Sequence, residues 1–191
     1  SRLSGVSALM RDSGGLVEQI ARELRETMAE RLRAAFPDYG IRDDDGGART
    51  PVHWIVEALD GRENYRRGYP QYALSLALVA DDEAVAAVIL DPARGELFQA
   101  MRGEGAWLNG RMITCVERPQ AAGSLAATVF PRPDSPRRDT YLAEFDRVHR
   151  AFAGVRRSGS TALELAYLAC GRVDAFWAED LPLGQIAAGL V

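Results

Sequence analysis

Residues 53–65, His-Trp-Ile-Val-Glu-Ala-Leu-Asp-Gly-Arg-Glu-Asn-Tyr, constrain this chain more than any other stretch. Trp54 to Val56 reads as a buried apolar strand that delivers two acids three residues apart, Glu57 and Asp60, into a turn marked by Gly61. Carboxylates at the end of such a strand, followed by free backbone N–H groups, can hold a hard cation and an anion side by side. A strand ending in an ordinary polar turn is the other reading that the pattern allows.

At 191 residues the chain fits one domain or two small lobes sharing a core. No apolar run is long enough to span a bilayer, and Ser1 to Asp12 lacks the continuous apolar core of a signal peptide, so a cytoplasmic location is expected. Cys115 and Cys170 stand in no metal-ligand spacing and read as reduced, packed thiols. A net charge of −4 argues against general nucleic-acid binding, which needs a basic face to displace counterions from phosphates. All 23 cationic residues are arginine. The missing lysine excludes a P-loop, a Schiff base and a Ser-Lys dyad. Neither histidine, His53 or His149, stands in a recognisable nucleophile setting, and His149 falls on the buried side of a helical pattern.

Apolar residues from Leu16 to Phe36 recur at helical spacing, and Pro37 stops that helix. An acidic loop, Asp43-Asp44-Asp45-Gly46-Gly47, follows and is either a solvated turn or a cluster facing Glu57 and Asp60. Arg62, Arg66 and Arg67 crowd a short polar segment that reads as surface or as anion contacts. Strand periods cover Tyr72–Ala80, Val85–Leu90, Glu96–Met101 and Ala106–Leu108, with Asn109-Gly110 as a tight hairpin turn before Arg111-Met112-Ile113. Gly103-Glu104-Gly105 is no dinucleotide fingerprint, because strand and hairpin follow it rather than a helix. Gly123–Phe130 is a further strand candidate, Tyr141–Phe152 an amphipathic helix and Val155–Arg157 a short strand. Thr161 and Glu164 have capping-box spacing for a helix that stops at Gly171. Arg172–Trp177 reads as a strand, and Ile186–Val191 as the start of an unfinished helix, so a C-terminal part of the fold is expected to be missing.

The order of these segments resembles the inositol monophosphatase family over essentially the whole chain. Trp54-Ile55-Val56-Glu57-Ala58-Leu59-Asp60-Gly61 is similar to the family's Trp-Ile-x-Asp-Pro-Leu-Asp-Gly-Thr motif. Asp91-Pro92 through Gly110 resembles its Asp-Pro-x-x-x-Glu-Leu-Phe and Gly-x-Gly-Ala-x-x-Asn-Gly run. Gly159-Ser160-Thr161-Ala162-Leu163 and Ala187-Ala188-Gly189 resemble its Gly-Ser-Ala-Ala-Leu and Trp-Asp-x-Ala-Ala-Gly segments. The resemblance implies an α/β layered sandwich of alternating helices and sheets, one domain over residues 1–191. In active members it implies magnesium-dependent hydrolysis of phosphate monoesters such as inositol phosphate, by a metal-bound water.

Carried over residue by residue, the resemblance assigns Asp44, Glu57, Leu59, Asp60 and Gln185 to the metal, Asp44 and Arg62 to catalysis, and Gly61, Arg62 and Ser160 to phosphate. Most of the metal positions depart from the pattern, and others of the site do too. Glu57 stands for Asp, Asp44 and Asp45 for a Glu pair, Gln185 for Asp and Gly184 for Trp. Ala21 stands where active members carry an Asp in the first helix, Arg62 for the Thr that orients the attacking water, and Ala178 for the Glu that recognises inositol hydroxyls. Of the metal positions only Asp60 and Leu59 are retained, so magnesium is expected to be held weakly or to be lost, with Arg62 paired to Asp60 or Glu57 as a substitute charge. A small phosphorylated metabolite is the implied substrate. A homodimer is implied as well, with Phe98–Trp107 near its interface. The other class that the resemblance opens is a homodimeric regulatory protein binding a protein partner such as the transcription machinery.

Overall fold

The computed structural model describes residues 14–43, 46–47, 50–115, 118 and 120–191. Its first element, helix α1 (Gly14–Ala35), matches the expected span to within two residues at its start and one at its end, and Val17, Ala21 and Ala29 are its buried residues among those described. Eight strands then build one mixed sheet: β1 (Gly40–Asp43), β2 (Gly46–Gly47), β3 (Val52–Asp60), β4 (Ala73–Ala80), β5 (Glu83–Asp91), β6 (Glu96–Met101), β7 (Gly105–Leu108) and β8 (Arg111–Ile113). They lie in the order β2-β1-β3-β4-β5-β6-β7-β8, with β1 parallel to β3 and every other neighbouring pair antiparallel. A short helix, α2 (Arg62–Arg67), interrupts the run after β3.

The second half supplies β9 (Leu125–Thr128), α3 (Arg138–Ala151), β10 (Gly154–Arg156), α4 (Thr161–Ala169), β11 (Ala175–Trp177) and α5 (Leu183–Ile186), closing on a 3₁₀ turn over Ala187–Leu190. Here the parallel order is β10-β9-β11. Helix α1 covers one face of the large sheet, α4 and the final turn cover the other, and β11 packs against α4 from beyond it. This is the layered α/β architecture that the resemblance implies.

Strand β4 explains why both faces can be covered. Its residues alternate, with Ala73, Ser75, Ala77 and Val79 buried and the leucines Leu74, Leu76 and Leu78 half-buried. Ala73, Ala77 and Val79 face Ala162, Leu163 and Ala166 of α4, where small side chains let a helix approach closely. Leu74 turns the other way, onto the cluster of Val17, Ala21, Leu59, Tyr65 and Tyr72 beneath α1. At the other end of the sheet, Asn109 and Gly110 both take positive φ, 49° and 76°, as a two-residue hairpin turn between right-twisted strands requires.

Several expectations need correction. The central strand does not stop at Val56; it runs nine residues to Asp60, so both acids lie within it rather than in a turn. Arg62, Arg66 and Arg67 belong to a helix, in which Glu63 pairs with Arg66 at 2.6 Å and with Arg67 at 3.1 Å. Asp43 ends strand β1 instead of opening a loop. The strands expected over 123–130 and 172–177 are shorter, and residues 186–191 carry a 3₁₀ turn with Ala187 and Ala188 buried. His149 is exposed and stacked on Phe145, and Cys115 is exposed rather than packed. Among the described residues no helix is long and apolar enough to cross a membrane.

Candidate functional site

Glu57 and Asp60 are an odd number of residues apart, which in a regular strand would send them to opposite faces of the sheet. Pairing with β4 prevents this. Glu57 lies opposite Ser75 and Asp60 opposite Ala73, so three steps along β3 meet two along β4, the count of a β-bulge. The extra residue restores the parity. Both carboxylates enter one cleft, also lined by Leu59, Gly61, Arg62, Asn64, Gly159, Thr161 and Gln185.

Asp60 is held from a distant part of the chain. Its Oδ2 accepts from Ser160 Oγ at 2.7 Å and from the backbone N–H of Ala162 at 2.9 Å. It therefore sits at the amino end of α4, where free N–H groups and the helix dipole favour a carboxylate. Burial pushes the Asp60 carboxyl above its ordinary value, against the lowering effect of Ser160, the Ala162 and Gly61 N–H groups and the Arg62 charge. Ser160 serves twice, because its hydroxyl also accepts from Leu163 N at 3.5 Å as the N-cap of α4. The cap therefore lies one residue before the expected Thr161.

Glu164 does not close a capping box either. Its Oε1 reaches past the cap to accept from Ser158 N at 2.5 Å, while its Oε2 and the Ser158 hydroxyl are buried with no hydrogen-bond partner among the described residues. Burial raises the Glu164 carboxyl to about 7, despite the Ser158 contact and the Arg157 charge. A folded-state value above the unfolded one makes the neutral form the stabilising form. That contribution is complete below the ordinary value of 4.5 and is lost as pH rises through about 7. Between pH 5 and pH 8, thermal melts of Glu164→Gln should therefore fall less than those of the parent chain, by half or more of the parent's drop. Parallel profiles would exclude Glu164 as the titrating group.

The other cleft wall is α2 and the turn before it. Gly61 adopts φ +78°, and Asn64 Nδ2 donates to Gln71 O at 2.7 Å and Ser158 O at 2.8 Å, tying α2 to both neighbouring loops. Arg62 points into the cleft. Its Nη2 lies 3.8 Å from Glu57 Oε1, and its Nη1 donates to Glu18 Oε2 of α1 at 3.2 Å. Glu18 is an exposed residue of α1 that reaches the cleft through Arg62, a contact the sequence pattern did not single out. The available signal was its place one helical turn before Ala21, on the same face of α1; Ala21 itself is buried against the cluster beneath that helix.

Asp44 and Asp45 lie outside the described residues. Of the remaining donors that the resemblance assigns to magnesium, Glu57, Leu59, Asp60 and Gln185 line the same cleft. Among the described residues the side-chain donors are two carboxylates and one neutral amide, with the Arg62 guanidinium set against one of the carboxylates. Asp60 Oδ2 already accepts two hydrogen bonds, Glu57 Oε1 accepts from Leu59 N at 3.2 Å beside the guanidinium, and Gln185 Oε1 accepts from Thr161 at 3.4 Å. Among the described residues no group of three or more His, Cys, Asp or Glu side chains is gathered as a metal site would need. Ser160 and Gly61 stand beside Asp60 as placed above, and Ala178 follows β11 at Trp177.

Comparison with known proteins places this geometry in context. The profile of the inositol monophosphatase family matches residues 4–191. The chain is 40% identical over 168 residues to the Nus factor SuhB of Xylella fastidiosa, a match covering 87% of this chain and 61% of that protein. It is 38% identical over 179 residues to the inositol-1-monophosphatase of Rhizobium meliloti, covering 92% of this chain and 67% of that one. Among solved structures it superposes on the extragenic suppressor protein suhB from Bartonella henselae with a TM-score of 0.84 at 36% identity, covering 88% of this chain and 67% of that chain. Inositol monophosphatase from Anabaena gives a TM-score of 0.83 at 32% identity, covering 95% and 74%.

Proposed function

This chain belongs to the inositol monophosphatase family, and on that premise we propose that it is a phosphate-monoester-hydrolase scaffold whose eroded metal site leaves at most residual phosphatase activity. The observation that carries this reading is the Arg62 guanidinium lying 3.8 Å from Glu57, in a cleft whose other buried carboxylate, Asp60, is hydrogen-bonded to Ser160 and Ala162. A divalent ion that activates water needs several anionic oxygen ligands, and here one of the two buried carboxylates faces a guanidinium instead. The substrate class, if turnover survives, is a small inositol or sugar phosphate, and the protein works in the cytoplasm.

A second reading is a homodimeric regulatory protein with a partner in the transcription machinery. It is favoured by the names of relatives, since Nus factor SuhB proteins of Xylella fastidiosa and Pseudomonas aeruginosa are 40% and 37% identical to this chain. In this reading the strands around Phe98–Trp107 lie near the surface that pairs two copies. Phosphate release from inositol 1-phosphate and sugar phosphates, with magnesium and with chelator, tests the first reading. The expected kcat/KM lies at least about a thousandfold below the ~10⁴ M⁻¹s⁻¹ lower end of ordinary enzymes. A value within the ordinary range would overturn it.

A further inference from the structure

We infer that the Arg62 guanidinium is a built-in cation of this cleft, oriented by Glu18 and set against the buried Glu57 carboxylate, so that Glu57 has a positive partner without a divalent ion. The inference rests on the reading that this cleft is the site the family uses. Its starting point is electrostatic. Glu57 and Asp60 are 4% and 5% exposed and face one space, and a buried carboxylate without a compensating charge is strongly unfavourable. Among the described residues two arginines line that space, Arg62 and Arg157. Arg157 lies over the Phe130 ring at 5.6 Å. Arg62 is the one placed against Glu57.

The placement is built from several elements. Gly61, in the left-handed region, turns the chain out of β3 so that Arg62 becomes the first residue of α2. Asn64 anchors that helix to Gln71 and Ser158. Glu18 then takes one arm of the guanidinium from α1, 44 residues away in sequence. The Glu18 pair is half-exposed and contributes little stability by itself. Its effect is orientation: a planar donor fork held at one arm presents the other arm to Glu57.

A guanidinium and a divalent ion make incompatible demands on the same carboxylate. Magnesium or manganese takes oxygen ligands in near-octahedral array at about 2.1 Å for magnesium, whereas the guanidinium offers donors only and fills that side of Glu57. The two compete, so removing the resident charge should open the cleft to the ion. Manganese serves as the probe, because its binding is read directly from loss of the free-ion electron paramagnetic resonance signal.

The experiment titrates the full chain and its Arg62→Thr, Arg62→Gln and Arg62→Lys variants with manganese chloride, and records thermal melts in chelator and in manganese. The two neutral variants should bind manganese at least tenfold more tightly than the parent. They should melt below the parent in chelator and recover in manganese, while the parent's midpoint stays unmoved. Arg62→Lys keeps the charge but not the two-armed fork, and should gain less manganese affinity than the neutral variants. Equal manganese affinity in parent and neutral variants overturns the inference, and so does a lysine variant that gains as much as they do. If the threonine variant fails to fold, the near-isosteric glutamine variant carries the comparison. Phosphate release is assayed on the same samples. Activity in the parent at ordinary enzyme levels counts against the functional reading alone, whereas the manganese titration decides the inference.

Discussion

Replacing Gly61 by alanine is expected to destabilise the protein by about 3 kcal/mol or more, the largest effect of any added methyl group in the cleft. Two terms add. An L-residue in the left-handed region costs roughly 1–2 kcal/mol. The new Cβ would also lie 2.8 Å from Gln71 O, 3.1 Å from Tyr72 Cα and 3.2 Å from Gly159 O, all of them backbone atoms that cannot swing aside. Relief would have to come from moving α2 away from the 158–160 loop, which would separate Arg62 and Asn64 from their partners. Gly110 is the control: its φ of +76° is nearly the same, but a Cβ added there would have no described atom within 4 Å. Gly110→Ala should therefore show only the backbone cost, roughly 1–2 kcal/mol. Urea unfolding of the two variants measures the difference. Equal losses would mean that the close approach around Gly61 contributes nothing.

The second large effect is a gain. Exchanging Glu57→Asp, Asp44→Glu, Arg62→Thr and Gln185→Asp together should raise magnesium-dependent phosphate release on the order of 100-fold, about 2.7 kcal/mol off the barrier. Each change acts on a different defect. Arg62→Thr removes the competing charge from Glu57, and shortening Glu57 draws its carboxylate back by roughly one C–C bond, about 1.5 Å. Gln185→Asp restores a negative charge beside Thr161, which now donates to the Gln185 carbonyl oxygen. Asp44→Glu extends a carboxylate by the same bond length. Glu57, Arg62 and Gln185 share one cleft, so effects there should be strongly non-additive, and the single variants should each do little. Steady-state phosphate release with and without magnesium is the measurement. No gain in the combined variant would mean that the cleft walls have diverged along with the ligands.

Sequence alone was sufficient for whatever depends on a residue and its near neighbours. The 3.6-residue period of α1, the two-residue period of β4 and the Asn109-Gly110 turn are each set within a short window, and all three stand in the structure. The run of motifs, each legible within a short stretch, likewise pointed to the family. The absence of lysine excluded whole mechanisms without any structure.

Tertiary structure decided what depends on partners far along the chain. Whether Glu57 and Asp60 share a face was settled by pairing with Ser75 and Ala73, because a bulge is a property of two strands and has no signature in one. Ser160 rather than Thr161 caps α4 because its hydroxyl meets both Leu163 N and the Asp60 carboxylate 100 residues earlier. Glu164, read locally as part of a capping box, instead holds the loop at Ser158 from inside the core. Glu18, an exposed acid on an amphipathic helix, meets Arg62 because the fold lays α1 beside α2. Hydrophobic periodicity says which face of an element is buried; only the packing of elements against each other says which charges meet there.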